Sequence, residues 1–235
     1  MDRLAYTLAD QQLMSRARNY FAWQARLIRP ALGRRVVEVG CGTGNFTATI
    51  LDRELVIATD IEAACVERLR ARFPDQPNLK ALVCSPEDPL FADLAQLRPD
   101  CCVCLNVLEH IADDVNALRR MAGILPSGGV VALWVPAFPA LYGPVDRNLE
   151  HYRRYTPASL RKAAEAAGLL VESQKFVNAV GFFGWWANAR LFRREAQSAR
   201  QIAIFDRYVV PIVSRLERVA PPPFGQSLMA VLRKS

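Results

Sequence analysis

The segment Val36-Val-Glu-Val-Gly-Cys-Gly-Thr-Gly-Asn-Phe46 decides the fold, because a short apolar strand runs directly into three closely spaced glycines. Gly40, Gly42 and Gly44 have no Cβ atom, so the backbone can turn tightly there and approach a ligand closely. Asp60 ends the next apolar strand twenty residues after Gly40. A carboxylate at this position accepts hydrogen bonds from a ribose diol. The spacing therefore predicts a nucleoside site at the carboxyl ends of the first two strands.

The spacing of the glycines distinguishes two kinds of nucleoside ligand. A dinucleotide site carries G-x-G-x-x-G and holds a pyrophosphate at a helix N-terminus. This segment reads G-x-G-x-G, with Glu38 two residues ahead of it. A carboxylate beside the loop repels a pyrophosphate and suits an ammonium group, so the charges favour a nucleoside that carries an amino acid and no phosphate. For the glycines taken alone, a tight turn without a ligand is the structural alternative.

Short apolar strands alternate with helices along the first two thirds of the chain. This alternation predicts a parallel sheet covered on both faces and doubly wound by right-handed crossovers. Residues 1–32 are expected to form an N-terminal helical cover, and residues 178–226 a helical, aromatic and basic insertion before the last strand, all within one domain over 1–235. Beyond β-structure at 35–39, the pattern predicts strands at 55–59, 79–84, 100–105, 130–135, 169–177 and 227–233, and helices at 45–53, 62–72, 113–124 and 158–167.

The composition is that of a globular protein with a full core. Of 235 residues, 51% are hydrophobic and 23% are charged, which excludes a disordered or fibrous chain. The net charge of +7 is uneven, because residues 147–235 hold 15 Lys and Arg against 6 Asp and Glu. The uncharged stretch 121–145 contains four prolines and four glycines, so it does not predict a membrane-spanning helix. With no recognisable secretion signal, the six cysteines are expected to be reduced in a cytoplasmic protein.

Over residues 34–177, and more weakly at 228–233, the sequence resembles the class I S-adenosylmethionine-dependent methyltransferases. Besides the glycine loop and Asp60, the resemblance rests on Ser85-Pro-Glu-Asp88, Leu105-Asn-Val-Leu-Glu-His110 and Pro126-Ser-Gly-Gly-Val130. It implies a Rossmann-like, seven-stranded sheet with an antiparallel last strand, and S-adenosylhomocysteine as the product. The implied cofactor-binding residues are Glu38, Gly40, Cys41, Gly42, Gly44, Asp60, Ile61, Glu87, Asp88 and Asn106.

Methyl transfer to an oxygen or nitrogen can require a base, and histidine is the side chain whose ordinary pKa suits this role. The chain has two histidines, His110 and His151. His110 follows the fourth strand at the edge where open α/β sheets bind ligands, although packing at a helix start is an equal alternative. His151 opens the segment His-Tyr-Arg-Arg-Tyr155 and is the favoured base, with Tyr152 as a further catalytic candidate.

The candidate acceptor-binding residues lie beside His151 and in the aromatic insertion. Arg153 and Arg154 suit a phosphate or carboxylate on the acceptor, and Tyr155 and Trp185 are assigned to the walls of the pocket. A solvated charge run ahead of a helix is the structural alternative for the arginines. The uncharged aromatic stretch 176–189 suits a greasy acceptor tunnel or a membrane interface, unless it packs on the domain.

The sequence thus predicts a methyltransferase for a small-molecule or lipid-like acceptor, in the cytoplasm or at the inner face of the membrane. Two alternatives stay open: an RNA methyltransferase that uses the basic C-terminal half, and a non-catalytic cofactor-binding protein if segment 151–155 is buried and closed. Nucleic acid is disfavoured as a partner, because the arginines are spread among large apolar residues. The cysteines lack C-x-x-C spacing, so no metal site is predicted. The oligomeric state is left undefined.

Overall fold

Seven β-strands form one sheet in the computed structural model, which describes residues 13–191 and 198–235. They are β1 (Arg35–Val39), β2 (Leu55–Asp60), β3 (Leu79–Val83), β4 (Cys101–Leu105), β5 (Val130–Pro136), β6 (Leu169–Val177) and β7 (Ser227–Lys234). The strand order is β3-β2-β1-β4-β5-β7-β6. Strands β1 to β5 pair in parallel, whereas β7 is antiparallel to β5 and β6. The predicted doubly wound, seven-stranded sheet is confirmed.

The order of the strands reverses between β1 and β4, which are neighbours in the sheet. Their register pairs Val36 with Cys101 and Val39 with Cys104, so both strands end at the same edge. Crossovers leave β1 and β4 towards opposite sides, which opens a crevice outside their carboxyl ends. The glycine loop after β1 and the Asn106–His110 segment after β4 therefore face each other at this crevice.

Helices cover both faces of the sheet, and the cysteines of β4 show how its faces divide. Cys102 and Cys104 are buried on the face covered by the helices at 114–123 and 157–166, and Cys101 on the face covered by those at 18–28 and 210–219. All six cysteines are free and buried, which agrees with the expectation of reduced thiols. The helices of the described residues are α1 (Arg18–Ile28), α2 (Ala63–Arg72), α3 (Asp114–Gly123), α4 (Pro144–Asn148), α5 (Pro157–Ala166), α6 (Ala179–Arg190), α7 (Ala199–Ile204) and α8 (Val210–Val219).

The segment after the glycine loop differs from its prediction. In place of a helix over 45–53, only a short 3-10 helix forms at Thr47–Thr49. The Thr47 hydroxyl donates to Glu38 and the Thr49 hydroxyl to the carbonyl of Phe46, each at 2.7 Å. Such side-chain hydrogen bonds, on β-branched residues, compete with a regular helix. No regular α-helix therefore begins behind Gly44 within the described residues.

The N-terminal cover is interrupted, where the sequence predicts continuous helix. Residues 1–12 of the predicted cover lie outside the described residues. Helix α1 begins at Arg18, and Pro30 lies in a 3-10 turn (Arg29–Ala31) that follows it directly. Trp23 and Ile28 of α1 are nonetheless fully buried against the sheet, so this helix covers one face of the sheet.

The insertion between β6 and β7 is helical in its described parts, as predicted. Helix α7 continues through a π-helical turn (Phe205–Val209) into α8, which gives one helical segment over 199–219. Asp206 in the π-turn is buried and accepts hydrogen bonds from the backbone amides of Tyr20 at 2.8 Å and Asn19 at 3.2 Å. These amides belong to the first turn of α1 and have no partner within their own helix. Asp206 therefore caps α1 from a distant part of the chain.

Replacing Asp206 with alanine is expected to destabilise the protein. The loss of the acceptor leaves two partly buried amide contacts of α1 unpaired, which costs about 1–3 kcal/mol. This lowers the melting temperature by about 2–4 °C per kcal/mol in a chain of this size. Thermal denaturation followed by circular dichroism measures the effect. Asp93 is exposed, and Asp93→Ala is the matched control. A D206A melting temperature equal to that of the control would show that Asp206 does not anchor α1.

Candidate active site

The glycine loop is fixed to the end of β2 through its backbone. Gly40, Gly42 and Gly44 have φ angles of 74°, 52° and 82°, which are left-handed conformations that favour glycine. The amide of Gly40 donates to the carbonyl of Thr59 at 2.8 Å. A Cβ atom at Gly40 would overlap the side chain of Val107, just after β4. The loop thus lies close against two neighbouring strand ends, and residue 40 has no space for a side chain.

The carboxylate of Asp60 holds the loop from the side of β2. Its Oδ2 accepts from the amide of Gly42 at 2.8 Å, and its Oδ1 accepts from the amide of Glu62 at 3.0 Å. Burial raises the pKa of Asp60, and these two hydrogen bonds oppose the rise. Because each carboxylate oxygen has two lone pairs, both oxygens retain capacity for a further donor. The geometry fits a carboxylate that fixes the loop and also accepts from a ribose diol.

Glu38 lies beneath the loop, and its protonation corrects the charge argument made from the sequence. The side chain is 3% exposed and accepts from the Thr47 hydroxyl at 2.7 Å. Burial raises the pKa of Glu38 to about 8, which the hydrogen bond from Thr47 only partly offsets. At neutral pH the carboxyl is therefore mostly protonated. Glu38 therefore repels a pyrophosphate only weakly. The preference for a phosphate-free nucleoside over a dinucleotide then depends on the G-x-G-x-G spacing.

The remaining cofactor candidates follow the ends of β1 to β4, as predicted. Asn106 is exposed with φ 53°. Its backbone amide donates to the carbonyl of Trp134 at 2.7 Å, which fixes the position of Asn106 after β4. Asp88 accepts from the amide of Leu90 at 2.8 Å and caps a 3-10 helix, Pro89–Leu97. Its carboxylate thus has a structural partner. Ile61 and Glu87 are exposed, whereas the thiol of Cys41 is buried.

A second buried carboxylate, Asp146, organises the segment after β5. Asp146 is fully buried; its Oδ2 accepts from the amide of Gly143 at 2.9 Å, and its Oδ1 contacts His151 Nδ1 at 2.9 Å and Arg154 Nε at 2.7 Å. Burial opposes ionisation of this group, but the hydrogen bond from His151 and the charge of Arg154 lower its pKa. An ionised Asp146 requires His151 to carry a proton on Nδ1, which leaves Nε2 of neutral His151 with a lone pair.

Glu109 completes this cluster from the end of β4. It is 1% exposed, and neither carboxyl oxygen has a hydrogen-bond partner among the described residues. Burial raises its pKa to about 7, against the attraction of His151. The rings of His110 and His151 pack edge to face with centroids 4.5 Å apart. One ligand atom from each of Glu109, His110 and His151 lies within 4.8 Å of the others, so the donor set can share a proton or hold a cation.

Two of the residues assigned to the acceptor are enclosed by the protein. Arg154 is 4% exposed and its guanidinium lies over the ring of Trp185, 4.8 Å from the ring centre. Tyr155 is 2% exposed and its hydroxyl donates to Asp114 at 2.9 Å. Both side chains hold segment 151–155 in place. Their assignment to the acceptor stays a prediction.

Tyr152 and Arg153, in the middle of segment 151–155, reach the surface. Tyr152 is 61% exposed, and its amide donates to the carbonyl of Glu109 at 2.8 Å. Arg153 is partly exposed; it pairs with Asp114 at 2.8 Å and lies over the ring of Tyr152. Tyr152 and Arg153 are therefore the most exposed side chains of the segment.

The sequence motifs contained Asp146, ahead of the His151 segment, and Glu109, within 105–110, but neither received a chemical role, although both contact the other members of the cluster. Asp146 precedes His151 by five residues, and Glu109 is adjacent to His110. The proximity of acid and histidine was a signal in each case. Nothing in the sequence indicated that residues 109–110 and 146–151 meet, because this contact depends on the ends of β4 and β5 lying side by side.

The fold and this edge of the sheet define the class of the protein. A seven-stranded sheet with β7 inserted antiparallel between β5 and β6, a glycine loop after β1 and a carboxylate at the end of β2 are the features of class I S-adenosylmethionine-dependent methyltransferases. The chain belongs to the family described as "Methyltransferase domain", which matches residues 9–174.

Individual relatives agree with this assignment. An uncharacterized methyltransferase of Mycobacterium tuberculosis is 34% identical over 107 residues, covering 45% of this chain and 52% of the relative. The ubiquinone biosynthesis O-methyltransferase of Ralstonia nicotianae is 32% identical over 128 residues, covering 52% and 48%. The matches thus span about half the length of these curated relatives. A chain of the complex that contains the Haloferax volcanii Trm112 methyltransferase activator has a TM-score of 0.65 at 21% identity, over 97% of this chain and 94% of its own.

The pKa of Glu38 gives the site a testable pH dependence. A glutamate in the unfolded chain loses its proton near pH 4.5, whereas folded Glu38 keeps it until about pH 8. Between these values the folded state binds more protons, so stability falls as the pH rises. We expect the melting temperature of the wild type to fall more steeply from pH 5 to pH 8 than that of Glu38→Gln.

The matched control is Glu87→Gln, which changes an exposed carboxylate and should keep the slope of the wild type. Glutamine is close in size to glutamate and still accepts from Thr47, so packing is retained. Parallel slopes for the wild type and E38Q would mean that Glu38 is ionised in the folded protein.

Proposed function

We propose that this methyltransferase acts on a small-molecule or lipid-like acceptor that bears a phosphate or carboxylate, and that His151 is its general base. The observation that carries the proposal is the hydrogen bond between His151 Nδ1 and the buried carboxylate of Asp146, 2.9 Å long. It fixes the tautomer and the orientation of the imidazole. His151 also lies after β5, at the carboxyl edge of the sheet where ligands of open α/β folds bind.

The donor-binding side of the proposal rests on the glycine loop and Asp60. Backbone without Cβ atoms at Gly40 and Gly42 would lie under the methionine part, and the free lone pairs of Asp60 would accept from the ribose. Glu87 or Asp88 is assigned to the adenine and Asn106 to the methionine end, with Glu38, Cys41, Gly44 and Ile61 as neighbouring wall residues. S-adenosylmethionine supplies a methyl group already activated on a sulfonium, so the protein mainly positions the acceptor and excludes water.

The acceptor-binding side rests on the buried network around Asp146. Nε2 of His151 would take the proton from an acceptor hydroxyl or amine, and ionised Asp146 would stabilise the imidazolium that forms. Arg154 keeps Asp146 ionised through its 2.7 Å contact and acts as a positioning residue. Glu109, unpaired and with a pKa near 7, could receive the proton next. His110, packed against His151, shapes the same pocket.

The anionic group of the acceptor is assigned to Arg153 and Tyr152. Arg153 pairs with Asp114, and its side chain remains partly exposed. A phosphate or carboxylate can exchange with Asp114 or share the guanidinium with it, because the fork has five donors. The exposed ring of Tyr152 beside it offers an apolar wall. A shallow basic groove for RNA would need several unpaired arginines here, and Arg154 is enclosed.

The non-catalytic alternative required a buried and closed segment 151–155. Three of its side chains, those of His151, Arg154 and Tyr155, are less than a tenth exposed, which favours this alternative. Exposed Tyr152 and membership of a methyltransferase family favour catalysis. Turnover by the purified protein therefore decides between them.

Asp60→Asn is expected to weaken binding of S-adenosylhomocysteine in calorimetry by about 10- to 100-fold, the value of a hydrogen bond to a charged acceptor. Asparagine still accepts from one amide of the loop, so circular dichroism should show an intact fold. Asp93→Asn is the surface control. Unchanged affinity in D60N, or tight binding of NAD by the wild type, would contradict the assignment of the loop.

His151→Gln is expected to lower methyl transfer by about 100- to 10,000-fold, the range for a lost general base, with unchanged affinity for S-adenosylhomocysteine. The assay follows tritiated methyl from the donor into solvent-extracted lipids, aqueous small molecules and total RNA of the source organism. The matched control, His110→Gln, should lose less than about tenfold. Label in RNA, lost steeply with added salt, would instead support the RNA alternative.

Removal of metal ions with a chelator tests whether His151 acts as a base or whether Glu109, His110 and His151 bind a cation. Dialysis against EDTA should leave transfer by the wild type unchanged if His151 acts as the base. Loss of activity that Mg²⁺ or Zn²⁺ restores would make Glu109, His110 and His151 the ligands of a metal and overturn the base assignment.

A further inference from the structure

The helical segment 199–219 carries an exposed apolar stripe that no described part of the chain covers. Its members follow each other at intervals of four, four, four and three residues, so they lie along one side of the helix. The buried side of α8, which includes Val210 and Val213, packs on the sheet. The stripe consists of Ile204, Tyr208, Ile212, Leu216 and Val219, whose exposures range from 48% to 84%.

The charges of this segment are sorted between its two sides. Both of its acids point inward: Asp206 accepts from the amides of α1, and Glu217 accepts from the amides of Asn178 at 3.0 Å and Ala179 at 2.8 Å. The outward side is left with cations alone, and no ion pair within the described ranges involves them. They are Arg200, Arg207, Arg215 and Arg218, all exposed.

Helix α6 also has exposed apolar side chains, and it lies near the candidate active site. Phe183 and Trp186 are 59% and 44% exposed, and the contact of Glu217 with the start of α6 joins this helix to the end of α8. α6 follows β6 at the carboxyl edge of the sheet, and its Trp185 contacts Arg154. The exposed apolar surface of the insertion therefore adjoins the candidate active site.

From this arrangement we propose that the outward side of segment 199–219 docks on a membrane surface that contains anionic lipids. A helix with an apolar stripe, basic flanks and no outward acid suits the boundary between lipid headgroups and acyl chains. Tyr208 and Trp186 are amphipathic rings of the kind that favour this boundary. None of the helices described is long and apolar enough to cross a membrane. Docking does not depend on the identity of the acceptor.

Flotation with vesicles tests the proposal, using phosphatidylcholine alone and a mixture of three parts phosphatidylcholine with one part phosphatidylglycerol. The wild type should bind the anionic vesicles and not the neutral ones. Ile212→Ser/Leu216→Ser should lower the bound fraction at least about tenfold, because two apolar side chains that would insert into the lipid boundary are lost. Arg215→Gln/Arg218→Gln should weaken binding at low salt and lose most of its salt dependence.

Leu170→Ser removes an exposed leucine from β6, outside the insertion, and should bind as the wild type does. All substituted residues are exposed, and thermal melts check that each variant folds. Equal flotation with neutral and anionic vesicles, or binding unaffected in I212S/L216S, overturns the proposal. Absence of vesicle binding together with a dimer in sedimentation velocity that I212S/L216S abolishes would assign the stripe to a second copy of the chain. The affinity for S-adenosylhomocysteine, measured by calorimetry, should be unchanged in these variants. This second measurement distinguishes a failure of membrane docking from a failure of the proposed function.

Discussion

A carboxylate that binds backbone amides at the end of β2 is the constraint on which the donor site depends. Asp60 accepts from Gly42 and Glu62, and the carbonyl of Thr59 accepts from Gly40. The glycine loop has no regular helix behind it that would fix its shape. Its conformation is instead determined by these hydrogen bonds and by the close approach of Val107. The loop is thereby organised before a ligand arrives, which lowers the entropy lost on binding.

A buried carboxylate also organises the segment after β5, where Asp146 contacts His151, Arg154 and the amide of Gly143. Burying this many charges is costly unless each is paired and hydrogen-bonded. Removing one partner would leave a buried charge uncompensated. The network therefore specifies one conformation of segment 143–155 rather than adding much net stability. That specificity gives His151 a defined tautomer, which a solvated histidine would lack.

The sequence was most informative where local chemistry decides the structure. Most of the strands were predictable because they are short, largely apolar runs bounded by turns; β6, with Glu172 to Lys175 in its middle, is the exception. The glycine loop was predictable because left-handed backbone favours glycine. Local competition explains the miss at 45–53, where threonine hydroxyls bind Glu38 and a backbone carbonyl instead of allowing a helix. Tertiary contacts explain the two features of the site that the sequence did not reveal. Neither the protonation of buried Glu38 nor the meeting of Glu109 with His151 can be derived from spacing, because each depends on which strands are neighbours.

The excess of positive charge after residue 146 shows why the position of a charge matters more than its total. Arg154 contributes to that excess, yet it is enclosed on Asp146 and Trp185 and offers no surface charge. Segment 199–219 has the opposite arrangement, since Asp206 and Glu217 are engaged by backbone amides and the arginines remain outside. An inward-facing acid does not neutralise an outward-facing base on the same helix, so the surface is more basic than the composition implies. The same inward hydrogen bonds that join these helices therefore leave the outward side of segment 199–219 positively charged.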